Sequence, residues 1–449
     1  MGKFLGYTAL ILLAALMVAG SFLGYFLLEG SPPELHVASL PETIGREYVL
    51  TVSVRDTRSG ISSISACLNQ GDRVFELDPK IYKVKEWWRG SGIKEDTVSW
   101  VIKPFTLGMT EGKALLRITA RDSSWRNTLT GNAQVWEAEI PIDLTPPRIA
   151  VKSTVHNIRT GGSGLVSYRI SELPSRTGVL IGERFFPAYP KPGGAEDMYV
   201  AMVAIPFNVT KPKRMLIEAV DRAGNIARVG FPHMILRKTP KVDTININDH
   251  FLEQKMPDFM ARYPEFQGSP LEVFLKVNTE LRHRNNQEIE NYCKESAAEI
   301  LWHGSFVCLP NSAFKAGFGE ERHYLYKGKK IGRSYHMGSD HASFSHASVP
   351  AGNTGLVVFA DYLGIYGNTI IMDHGLGLFS MYSHLSEIQV SKGDKVERGD
   401  TIGTTGMTGL AGGDHLHFGM MVHGVFVNPI EWWDKKWIQD HILTNLSVQ

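Results

Sequence analysis

Tyr382–Val422 reads YSHLSEIQVSKGDKVERGDTIGTTGMTGLAGGDHLHFGMMV. Two Gly-Asp steps, Gly393-Asp394 and Gly399-Asp400, separate single Val or Ile anchors, a pattern that predicts tight hairpins in a compact β-fold. The stretch ends in His415-Leu416-His417. Residues two apart on a strand point to the same face, so both imidazoles project into one place. With 16 His in 449 residues, a His-x-His pair arises by chance about 0.6 times in such a chain. Alone, the pair does not separate a metal grip from two histidines sharing a strand face.

The surroundings add weight. Eight of the 16 His lie between His336 and His423. Upstream, SYHMGSDHAS holds His336 and Asp340 at H-x-x-x-D spacing, and His384 lies in YSHL. A catalytic zinc takes three protein ligands from neutral imidazoles and carboxylates and leaves the fourth position to water or substrate. Two His and one Asp supply that set, and the two remaining His become acid/base groups or supports of the ligands.

Four separated elements, H-x-G-x-D (336–340), Y-G-N (366–368), Y-x-H-L (382–385) and H-L-H-F (415–418), stand in one order over roughly Gly332 to Trp433. In this the chain resembles the catalytic domain of the LytM/lysostaphin-type zinc metalloendopeptidases, metallopeptidase family twenty-three. The resemblance implies one Zn2+ ion held by His336, Asp340 and His417, with His415 and His384 as catalytic histidines. It also implies a small all-β domain whose groove holds an extended peptide, and cleavage of peptide bonds in peptidoglycan. Tyr366 and Asn368 are candidate substrate-binding residues, although Gly367 and Asn368 also suit a plain structural turn. The chain departs from the family pattern at Ser339 and His341, which flank Asp340 where aliphatic residues are usual. His341 and His346 read as bystanders.

The rest of the chain reads as mainly β. From Ser31 to Lys238, alternating runs such as YVLTVSVRD and ALLRITARD are bounded by turn residues, as in antiparallel sandwiches. SPPELHV (31–37) is echoed by TPPRIAV (145–151), and two consecutive immunoglobulin-like β-sandwich modules are expected at 31–144 and 145–238. Helical periodicity then marks a connector, 239–323, with Ser269-Pro270 as a helix start. The peptidase domain takes 324–449. Asn311 and His323, just upstream of the zinc motif, are candidates for an occluding contact that would make the enzyme latent.

Residues 1–30 form the expected membrane anchor. Phe4 to Leu28 runs 25 residues without a charge, long enough to cross a bilayer as a tilted helix. A cleaved signal peptide has a shorter apolar region and a small-residue cleavage site beyond it, whereas Ala19-Gly20-Ser21 lies inside the run. Lys3 before the span and Glu29 after it put the N-terminus in the cytoplasm. With the resemblance, this implies a single-pass protein of the bacterial inner (cytoplasmic) membrane, its catalytic domain in the periplasm or extracytoplasmic space.

Charge is balanced, 47 Lys and Arg against 46 Asp and Glu, so no global electrostatic case exists for nucleic acid. Three cysteines are too few for a disulfide scaffold; in an oxidising compartment Cys293 and Cys308 are the pair that could join. Two other function classes bear weighing. One is a non-catalytic regulator on the same fold that activates a cell-wall amidase or a division complex. The other, a lipoyl or biotinyl carrier suggested by the Gly-Asp ladder, lacks the modifiable lysine at a hairpin tip.

Overall fold

The computed structural model describes residues 2–83, 90–154, 156–209 and 211–448. A helix, α1 (Gly2–Leu27), opens the chain and is long and apolar enough to cross a membrane by length and composition. The rest is mainly β and divides into two compact units, Met1–Pro146 with Val220–Ile226, and Pro147–Ala219 with Ala227–Gln449.

In the first unit, Tyr48–Arg55 alternates buried and open positions and turns Leu50, Val52 and Val54 inward. It lies between Glu34–Val37 and Glu95–Ile102 in a three-stranded antiparallel sheet. A second sheet, built on Ile61–Gln70, Gly112–Asp122 and Ala133–Ile142, contributes Ile64, Leu68, Leu116 and Ile118 to the same core. Period-two burial thus makes two sheets face each other across one apolar layer.

In the second unit two four-stranded sheets centre on Met198–Ala204 and on Arg176–Ile181. Met198–Ala204 is buried along its whole length, which a strand covered on both faces requires. Its residues share one hydrophobic cluster with Trp302, Phe306, Tyr382, Phe418 and Trp432 from the C-terminal part of the chain. Trp432 is completely buried against Trp302 and Phe306.

Three helices follow, α2 (Asp249–Arg262), α3 (Pro270–Lys276) and α4 (Arg282–Tyr292). The Asn248 side chain caps α2 by accepting from the Phe251 amide at 2.8 Å. Ser269 and Glu272 close a capping box on α3 with Pro270 in the first turn. A π-helical turn, Val277–Leu281, joins α3 to α4.

The strands that carry the site are β1 (Val242–Ile247), β2 (Ala313–Ala316), β3 (Glu321–Tyr326), β4 (Lys329–Tyr335), β5 (Ser339–Ala342), β6 (Gly355–Tyr362), β7 (Asn368–Asp373), β8 (Leu378–Leu385) and β9 (Leu416–Val422). The largest sheet runs β2-β5-β9-β8-β7-β6, with the short strand Lys395–Val396 beyond β6 and Val425–Val427 paired to β9, and β1, β3 and β4 form a separate three-stranded sheet. The Gly-Asp ladder departs from the hairpins expected of it. Gly393 and Gly399 do take positive φ, 98° and 94°, but Lys395–Val396 pairs with β6, and Thr401–Thr404 pairs with Ser348–Pro350 and Glu387–Ile388. The turns are tight, while the strands they join reach distant partners. All three cysteines are free thiols.

Candidate metal and catalytic site

β5 and β9 are antiparallel neighbours, and their register sets Asp340 directly opposite His417. His336 lies four residues before Asp340, at the start of the short loop that joins β4 to β5. Three atoms converge: His336 Nε2 and His417 Nδ1 each lie 2.9 Å from Asp340 Oδ1, and 3.0 Å from one another. All three residues are buried.

The donor set can be tested for a metal by its protons. His336 Nδ1 lies 2.9 Å from the Gly317 carbonyl, an acceptor, so Nδ1 carries the hydrogen and Nε2 of the neutral ring presents a lone pair. That lone pair faces a carboxylate oxygen and a second imidazole nitrogen. Only a proton or a cation satisfies such a convergence. Neighbouring vertices of a tetrahedral zinc with bonds of 2.0–2.1 Å stand about 3.3 Å apart, close to the spacing found. The Nδ1 contact with a backbone carbonyl is also the usual support of a metal-binding histidine. The residues fit zinc.

Glycine at 338 is a spatial requirement. A Cβ there would meet the Phe418 carbonyl at 2.5 Å and His417 Nε2 at 2.7 Å, so any side chain would push His417 aside. Gly367 acts likewise with φ of 65°, and a Cβ on it would lie 2.3 Å from Thr408 Oγ1.

Burial pulls the His336 and His417 pKa values down, His417 to about 4, keeping both rings neutral. Burial would raise the Asp340 carboxyl, but His336 beside it, with His415 and His417 close by, holds it well below its ordinary value. His415 lies beside them, its Nε2 3.6 Å from Asp340 Oδ1 and its Nδ1 2.8 Å from the Gly413 carbonyl. Burial opposes protonation of His415, yet the contact with Asp340 raises its pKa. His384, with a positive φ of 63°, holds Nδ1 2.8 Å from the Thr408 carbonyl, its ring centre 4.9 Å from that of His415. Burial, then the neighbouring His415, keeps it well below the ordinary histidine value.

The five residues singled out by motif therefore meet in one cavity of about 560 Å³. Tyr366 lines it, with its ring 5.7 Å from that of His417 and its hydroxyl donating to Asn286. Asn368 is not among the lining residues. Its amide donates to Thr408 Oγ1 at 3.0 Å and its side chain reaches the Ser386 carbonyl, which fixes the loop before β9. The unusual Ser339 and His341 pair with each other behind the site, Oγ to Nε2 3.0 Å, and His341 meets the Trp433 ring edge-on. His346 contacts Ser386. Asn311 and His323 are also absent from the cavity lining; His323 pairs with Glu321 at 2.9 Å.

Two features of the site have no motif. Arg322, on β3, donates to the second oxygen of Asp340 at 2.8 Å. Half of the cavity wall also comes from residues before 334, among them Ile245, Asn246, Asn248, His250, Phe251 and Gln254. Arg322 reads in sequence as one charge on an alternating strand, and the wall is brought in by parallel pairing of β1 with β3 across nearly eighty residues.

The expected all-β domain is instead mainly β, with helices Pro429–Trp433 and Lys435–Ile438 after the last strands, and its convergent His-His-Asp set with two further histidines is a metallopeptidase type of site. Residues 334–429 match the model of Peptidase family M23, and the chain carries an M23 peptidase domain at its C-terminus. Over 96 residues it is 38% identical to the peptidoglycan DD-endopeptidase ShyA of Vibrio cholerae, and over 95 residues 36% identical to the DD-carboxypeptidase/endopeptidase Mpg of Neisseria meningitidis serogroup B. Each match covers 21% of this chain and 22% of the relative, so the chain spans about a fifth of the length of these curated relatives. Among solved structures, the catalytic domain of lysostaphin from Staphylococcus simulans is 29% identical, covering 29% of this chain and 98% of that one with a TM-score of 0.26.

Proposed function

We propose that the protein is a membrane-anchored zinc endopeptidase that hydrolyses peptide bonds of peptidoglycan. The observation that carries this is the meeting of His336 Nε2, Asp340 Oδ1 and His417 Nδ1 within about 3 Å, with His415 and His384 alongside. In this reading the three would hold one zinc ion, which would supply Lewis acidity toward a peptide carbonyl and toward water. His415 is the general base. Its Nδ1 hydrogen is committed to the Gly413 carbonyl, so Nε2 is the atom that accepts a proton from the attacking water. His384 commits Nδ1 to Thr408, stays neutral, and offers Nε2 as an acceptor that orients the same water. Tyr366 closes the wall behind His417.

The relative named as a peptidoglycan DD-endopeptidase supports this substrate class. The anchor is α1, and the two β regions, read as immunoglobulin-like modules at 31–144 and 145–238, serve as a spacer between membrane and wall. The connector takes 239–323 and the peptidase domain 324–449. The catalytic domain works outside the cytoplasm, at the inner membrane. The competing reading, a regulator that activates an amidase, is disfavoured by the complete ligand set. Digestion of purified peptidoglycan by the detergent-solubilised chain, with and without a chelator, tests the proposal: chelator-sensitive release of peptides supports it, and no release by the zinc-loaded protein refutes it.

A further inference from the structure

The cavity that holds the histidines extends over one face of the β1-β3 sheet, where Asp243 and Ile245 line it beside their register partners Arg322 and Tyr324. Two of its charged groups answer each other, since Arg322 pairs with Asp340. Arg282, the first residue of α4, also lines the cavity and has no such partner. Its Nε and Nη2 reach only Asn278, the side-chain Oδ1 at 3.3 and 2.9 Å and, from Nε, the backbone carbonyl at 3.3 Å. Among the described residues no carboxylate pairs with Arg282 and no acceptor meets its Nη1. A guanidinium bound along its Nε-Nη2 edge keeps its Nη1-Nη2 edge free, and that edge is a fork of two parallel donors.

The position of this fork is fixed. Asn278 is 3% exposed and lies on the π-helical turn Val277–Leu281, one turn before Arg282; such turns inside helical runs are frequent at functional sites. Because Asn278 is neutral, it orients the guanidinium without cancelling its charge. One turn further along α4, Asn285 Oδ1 accepts from the Ile365 amide at 3.0 Å, and Asn286 Oδ1 accepts from the Tyr366 hydroxyl at 3.1 Å. Residues three and four apart share one face of a helix, so Arg282 stands beside the Tyr366 wall. The Tyr366 ring is 5.7 Å from that of His417. Burial raises the Tyr366 phenol, and the nearby charge of Arg282 opposes that rise. A fixed, uncancelled guanidinium with two parallel donors is the complement of a carboxylate.

We infer that Arg282 is a substrate-binding residue that receives a carboxylate of the peptide cleaved at His415 and His417, so that a substrate carrying the free acid is preferred to one carrying the amide. The inference rests on the endopeptidase reading above. It adds a specificity determinant upstream of the family match.

The test uses the zinc-loaded full chain in detergent and a purified cross-linked muropeptide dimer, together with its forms amidated at the terminal carboxyl, at the side-chain carboxyls, or at both. The fully amidated dimer is expected to show a KM at least about ten-fold above that of the free acid, and the singly amidated forms identify which carboxylate Arg282 holds. Arg282→Met is expected to raise KM for the free acid about ten-fold, with kcat and zinc content kept and the fully amidated dimer unaffected. Arg282→Lys, which keeps a charge without the fork, is expected to retain part of the preference. Equal KM for the free and fully amidated dimers in wild type overturns the inference without recourse to any variant, and so does a preference that R282M retains. A wild-type chain that cleaves none of the dimers overturns the endopeptidase reading, and calorimetric binding of the same dimers then decides Arg282. Tighter binding of the free acid that R282M loses supports the inference, and any other pattern overturns it.

Discussion

Arg322 offers a prediction whose sign is not obvious. Its guanidinium donates to Asp340 Oδ2, and the two side chains are 20% and 11% exposed. Arg322→Met keeps most of the stem and removes the charge. In the metal-free protein this leaves a buried carboxylate without its cation, a loss of about 3 kcal/mol. In the zinc-loaded protein the same carboxylate remains neutralised, and the loss falls to that of one charge-assisted hydrogen bond, about 1.5 kcal/mol. The difference of about 1.5 kcal/mol appears as zinc affinity, so R322M is expected to bind zinc about ten-fold more tightly while the apoprotein is less stable. Competition with a chromophoric chelator gives the affinity, and denaturant unfolding in chelator and in zinc gives the two stabilities. Zinc binding ten-fold weaker than wild type would refute the reasoning and show that Arg322 orients Asp340 rather than neutralising it.

Other outcomes follow from the same geometry. His417→Ala is expected to lose zinc and activity together, while His415→Ala keeps zinc and loses activity; metal analysis beside a peptidoglycan assay separates them. Gly338→Ala places a methyl 2.7 Å from His417 Nε2, and zinc affinity is expected to fall at least about ten-fold by the same competition, a displacement costing more than 1.4 kcal/mol. Glu431 is pushed up to about 8, chiefly by burial. The folded state therefore holds this proton more tightly than the unfolded chain, and the resulting stability is full below pH about 4.5 and lost as pH rises through 8. Wild type is expected to lose on the order of 3 kcal/mol against Glu431→Gln between pH 4.5 and 7, read by denaturant midpoints in the two proteins.

The site was more legible in the sequence than its walls. His336, Asp340, His384, His415 and His417 sit in short motifs because the chemistry fixes residue type and the sheet fixes spacing: Asp340 opposite His417 is a register between adjacent strands. Gly338 was visible as a letter in the motif, but its reason, the space His417 needs, exists only in three dimensions. The start of α3 at Ser269-Pro270 was readable because a capping box is local. The ladder after Val390 misled, since its turns are local and its strand partners are not. Arg322 and the upstream half of the cavity wall left no signature, because a single charge on a strand and a pairing across nearly eighty residues acquire meaning only through non-local contacts. Asn368 shows the opposite case, a motif residue whose hydrogen bonds serve the loop before β9 rather than the cavity.

The most direct test of the central claim is a digest of purified cross-linked peptidoglycan by the zinc-loaded full chain, its products identified by mass beside those of His417→Ala. The account predicts that wild type converts cross-linked dimers to peptide-cleaved products, each bond cut taking up one water, and that H417A leaves them intact. Wild type that leaves the dimers whole, or H417A that cuts them as fast, would contradict it.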